Sequence, residues 1–123
     1  MRRLSVPVAR FFRAMAIPRA GNGVITMQQK IVIIGAGFAG MYSALSAARM
    51  RDARGVTSQE LEIILVAPEP TLVIRPRLYE PLPETLTAPL DEVLNAIDVV
   101  YMQGKVETID TGNRTIDVVG PDD

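Results

Sequence analysis

The stretch KIVIIGAGFAGMYSALSAARM, Lys30 to Met50, decides the fold of this 123-residue chain. Ile31 to Ile34 is a short, uniformly apolar run, the pattern of a strand buried on both faces of a parallel sheet. Three glycines follow, Gly35, Gly37 and Gly40, and no acidic residue occurs from Gly35 to Arg51. The alanine-rich spacing predicts a helix from about Phe38 to Arg51. Gly40, Ala44, Ala47 and Ala48 fall on one face of it, small enough to lie close against a sheet. Arg49 and Arg51 sit in its last turn, where cations meet the negative end of the helix dipole.

Working outward, "DARGVTSQE" is a polar loop carrying Gly55, and Glu62 to Val66 is a second buried strand. The unit is therefore β-α-β, with a parallel pair and a right-handed crossover expected. Six of the nine prolines crowd between Pro68 and Pro89. That density excludes a regular central strand or a long helix and predicts an extended excursion over the domain. A short helix near Leu90 to Ala96 and a third parallel strand at Val99 to Gln103 come next. Val106 to Ile109 and Thr115 to Val119 flank "DTGNR", a turn rich in Gly and Asn, and predict an antiparallel hairpin. The expected fold class is α/β. It is a Rossmann-like β-α-β half-domain with parallel strands, then an antiparallel hairpin, and its sheet is incomplete.

Composition narrows the chemistry. There is no Cys and no His. A thiol nucleophile, a disulfide framework, a thiolate metal site and the usual general base are all excluded, and no metal site is expected. The net charge of −1 hides an asymmetry: residues 1–30 carry +6 and the remainder −7. A weakly acidic body argues against nucleic acid as a partner. No apolar run reaches the roughly 18–20 residues that span a bilayer.

The N-terminal segment, 1–26, is read as a basic extension left out of the fold (disordered, transit-like, a mis-assigned start or an ordered extension), ahead of a folded part at 27–123. It is Arg-rich, acid-free and mildly amphipathic, which matches an organellar transit peptide or a membrane-surface peptide. The alternative is that translation starts at Met27, directly before "QQKIVIIG". The body is expected in the cytoplasm or at the membrane periphery, with mitochondrial import the alternative if 1–26 is a transit peptide.

In its strand–turn–helix context, the G-x-G-x-x-G of Gly35, Gly37 and Gly40 is a dinucleotide-binding signature. Gly35 allows the sharp turn, Gly37 lets a pyrophosphate approach the backbone, and Gly40 lets the helix pack on the sheet. N–H groups around Gly37, Phe38 and Ala39 and the helix dipole attract the phosphates. The fingerprint expects a ribose-binding acid at the end of the second strand. That position is Ala67, in "LVAPEP". Glu69, two residues on, either reaches the ribose from the loop or stays solvated. Nothing at that corner recommends a 2′-phosphate, so NADP is disfavoured, while FAD and NAD both fit the spacing.

"KIVIIGAGFAGMYSALSAARM", "EIILVAPEP", "RPRLYE" and "LDEVLNAI" together resemble the type II, FAD-dependent NADH dehydrogenases of the pyridine nucleotide-disulfide oxidoreductase group. The resemblance covers about Gln29 to Val119. It implies that this first glycine-rich unit holds FAD, with Gly35, Gly37, Phe38 and Ala39 along the pyrophosphate. It further implies that Arg75 and Pro76 approach the flavin or its phosphates, unless Arg75 and Arg77 form a solvated loop face. Main-chain atoms near Val106 would contact the adenine. The disulfide-reductase branch, which needs a Cys pair, is excluded. No catalytic residue is assigned. NADH is the expected substrate of the complete enzyme, whose NADH domain this chain lacks, so the resemblance implies an N-terminal portion inactive by itself. FAD is the expected partner, and a second chain or a homo-oligomer could pair through the open sheet edge. Two other readings stay open: a stand-alone NAD-binding module, and a truncated, non-catalytic interaction protein.

Overall fold

The computed structural model describes residues 4–7, 28–73 and 87–121. In chain order these form β1 (Leu4–Pro7), β2 (Gln29–Ile34), α1 (Phe38–Ala53), β3 (Leu61–Ala67), β4 (Thr71–Val73), β5 (Thr87–Pro89), α2 (Leu90–Ala96), β6 (Val100–Gln103), β7 (Lys105–Asp110) and β8 (Thr115–Val119). The fold is an α/β, Rossmann-like one. β2, β3 and β6 make a parallel sheet with β3 in the middle.

The central strand explains the apolar run that marks it. Its side chains alternate between two cores, as the period of two requires. Ile63, Leu65 and Ala67 pack with Met41, Ala44 and Ala48 of α1 and with Leu90 and Leu94 of α2. Ile64 and Val66 point the other way, onto Ile116 and Val118 of β8. The molecule is thus layered: helices, parallel sheet, then the hairpin sheet. Every residue of β3 from Ile63 to Ala67 is buried.

The second sheet has the order β1-β8-β7. β7 and β8 form the expected antiparallel hairpin, with a bulge between Val106 and Thr108. Its turn closes on Asp110, whose carboxylate accepts from the Asn113 main-chain and side-chain N–H groups at 2.9 and 2.7 Å. β1 runs antiparallel to β8, Leu4 opposite Val118. Four residues of the segment set apart above therefore add a strand to this sheet.

The proline-rich excursion leaves and returns as a two-stranded antiparallel pair, β4 with β5. A main-chain bond from Leu90 N–H to the Pro70 carbonyl (3.1 Å) ties the return point to the departure. α2 starts directly after Pro89, with Asp91 and Glu92 in its first turn facing the positive end of its dipole.

The role of Arg51 differs from the dipole contact that its position suggests. It is 4% exposed, and its guanidinium donates to the carbonyls of Leu61 (3.3 Å), Ile97 (3.1 Å) and Asp98 (3.0 Å). One side chain thereby ties the end of α1 to the start of β3 and to the turn between α2 and β6. The carboxylates of Asp52 and Asp98 lie 3.8 Å from it.

Candidate functional site

The strand registers place three structures side by side at the carboxyl end of the parallel sheet. Ile34, Val66 and Met102 are level with one another across β2, β3 and β6. One residue further on come the glycine turn, Ala67 and Gln103. Open α/β sheets bind ligands at this end.

At the turn, Gly35 has φ +100°, a left-handed conformation that favours glycine. Its N–H still donates to the Val66 carbonyl at 2.8 Å, so the turn springs directly from the sheet. Gly40 is a close-packing position: a Cβ there would lie 1.9 Å from the Gly35 carbonyl oxygen. Gly37 is the opposite case. It caps α1 in an extended conformation, and a Cβ on it would meet nothing within 4 Å. Among the described residues no side chain caps the helix, and its first turn holds no acid. The first N–H groups of a helix have no intrahelical acceptor. Gly37, Phe38 and Ala39 are exposed. Open space thus lies against main-chain donors, which suits an anionic pyrophosphate.

The neighbouring corner is built differently from the fingerprint. Ala67 is buried, and its carbonyl accepts from the Tyr101 hydroxyl and the Gly104 N–H, both at 3.0 Å. The Gln103 amide nitrogen donates to the Pro68 carbonyl at 3.0 Å. The end of β6 therefore holds the end of β3 with three hydrogen bonds. Gly104 lets β8 pass close by, since a Cβ would lie 2.5 Å from a Val118 methyl and 2.7 Å from the Val119 carbonyl oxygen. Desolvation of its ring raises the pKa of Tyr101, and the negative charges of Glu69 and Asp91 add to the effect. The hydroxyl is the protonated donor at neutral pH.

Of the residues expected to bind the cofactor, Gly35, Gly37, Phe38, Ala39 and Gly40 form the turn. Glu69 is an exposed carboxylate just past β3. Val106 lies on β7, with its side chain packed against the core of Ile64, Val66, Ile116 and Val118. Arg75 and Pro76 lie outside the described residues. Tyr101 and Gln103 were not singled out from the sequence. Their signal was weak, a Tyr and a Gln alternating in a short strand.

No protein-family model matches this chain. It is similar to NADH dehydrogenase-like proteins of two strains of Mycobacterium tuberculosis, each 34% identical over 87 residues. The aligned part is 71% of this chain and 22% of each relative, so the match spans about a fifth of their length. Among the described residues no helix is long and apolar enough to cross a membrane, and no group of His, Cys, Asp and Glu is arranged to hold a metal ion.

Proposed function

We propose that the glycine turn binds the pyrophosphate of FAD, and that this chain forms the FAD-binding part of an NADH-dependent flavin oxidoreductase. One observation carries the reading: the open space over Gly37, at the start of an uncapped, acid-free helix. The similarity to NADH dehydrogenase-like proteins supports the choice of redox chemistry. When bound, FAD would supply a hydride acceptor for NADH and pass electrons on to a quinone or a similar acceptor.

The contribution of this chain is binding and orientation. N–H groups of Gly37, Phe38 and Ala39 donate to the pyrophosphate oxygens, and the α1 dipole adds to their pull. Gly35 and Gly40 hold the turn close enough for that approach. Glu69 is the carboxylate in reach of the ribose hydroxyls, in place of an acid at Ala67. Main-chain atoms near Val106 face the adenine, and Arg75 and Pro76 serve the flavin side.

FAD and NAD share the ADP moiety that such a turn recognises, so the test must separate them. The full chain is titrated with FAD, followed by flavin fluorescence, and with NADH in parallel. Saturable FAD binding that Gly37→Val abolishes is the expected result. Binding of NADH without flavin preference would favour the stand-alone NAD module. A folded chain that binds neither would overturn the cofactor site.

A further inference from the structure

We propose that Gln103 reads the base of the bound nucleotide and selects adenine. This rests on the nucleotide-binding reading of the glycine turn and adds to it the element that chooses the base. Across the sheet, Gln103 is opposite Ala67, and the glycine turn follows Ile34 two strands away. Two strand spacings are about 10 Å. The pyrophosphate belongs on α1 and the ribose over the end of β3, and a base that continues in the same direction lies over the end of β6.

The side chain that meets it there is a neutral carboxamide held in one sense. The Pro68 carbonyl can only accept, so the amide nitrogen of Gln103 is the atom facing it, at 3.0 Å. One N–H is used in that bond. Among the described residues the second N–H and the carbonyl oxygen have no partner, and the residue is exposed. An acceptor beside a donor is the pair a carboxamide uses on the adenine N6 amine and its adjacent ring nitrogen. Hypoxanthine has an oxygen in place of that amine, so two acceptors would face each other. The carbonyls of Ala67 and Pro68 are already engaged by Tyr101, Gly104 and Gln103 itself.

The test uses the full chain and three probes, ADP, IDP and pyrophosphate, with binding measured by calorimetry. ADP is expected to bind about tenfold tighter than IDP, the lower part of the range for one carboxamide–base pair. Gln103→Met should bring the two within about twofold while Gly37→Val abolishes both. In the unmodified protein the Gln103 side-chain amide resonances should shift with ADP and stay in place with pyrophosphate, a readout independent of any variant's folding. An unchanged ADP-to-IDP ratio in Gln103→Met, or amide resonances indifferent to ADP, would overturn the role of Gln103 and leave the glycine site standing. Absence of Gly37-sensitive binding by any probe would instead overturn the site, and the base reader with it.

Discussion

Gly37 and Gly40 lie three residues apart in one motif and answer to different demands. At Gly40 the Gly35 carbonyl occupies the place of a side chain, and both groups are backbone, so neither yields cheaply. Gly40→Ala is expected to destabilise the fold by about 3 kcal/mol, the upper part of the range for overpacking. Urea unfolding measures it, and an unchanged midpoint would show that the helix can move off the sheet. At Gly37 the space is open and φ is −75°, which any residue adopts. Gly37→Ala should therefore keep its unfolding free energy within about 0.5 kcal/mol of the parent. Its expected defect is in nucleotide affinity alone. Stability and binding are thus separable by single substitutions within one turn.

Elements are joined here by a few polar clamps. Arg51 spans the end of α1, the start of β3 and the turn after α2, where Asp98 has a positive φ of 54°. Arg51→Met keeps the apolar stem and removes three hydrogen bonds to partly buried carbonyls. The expected loss is about 2–4 kcal/mol in chemical denaturation. Lysine should restore little, because a single ammonium cannot reproduce the planar fork. The hairpin turn makes a pH-dependent counterpart. Hydrogen bonds from the Asn113 main chain, then its side chain, lower the pKa of Asp110, with a smaller contribution from the Gly112 N–H. A carboxyl group whose folded pKa is depressed contributes stability above its unfolded pKa and loses it as pH falls through the folded one. The Asn113 amide resonance should therefore titrate below the ordinary aspartate range. Titration at or above that range would show that the turn bonds do not persist in solution. The Thr57–Glu60 turn follows the same rule, since the Thr57 N–H and hydroxyl lower the pKa of Glu60.

At the scale of the molecule, one flank of α1 is left apolar. Phe38, Tyr42 and Leu45 share a helix face and are exposed, 67% in the case of Tyr42, and Ile34 is exposed at the end of β2. β2 is itself an edge of the parallel sheet among the described residues. If copies of this chain associate through that face, the double change Tyr42→Lys and Leu45→Glu reduces the association in sedimentation without moving the unfolding midpoint. A drop in stability instead would mean that these side chains pack within the chain. The local grammar of this fold was legible in its sequence. Branched apolar runs marked β2 and β3, glycine spacing marked the start of α1, and "DTGNR" marked the hairpin turn. Leu90 to Ala96 was readable as a helix after its proline. Such signals arise from steric and periodic rules acting within a few residues. The glycine turn was legible for the same reason, since its conformational demands lie inside six residues. Tertiary structure alone decided that β3 is the central strand and that β1 lies against β8. It also turned Arg51 inward to carbonyls 46 and 47 positions away, and set Gln103 against a carbonyl 35 positions back. These pairings depend on which distant segments share a layer, and no short window of sequence holds both partners.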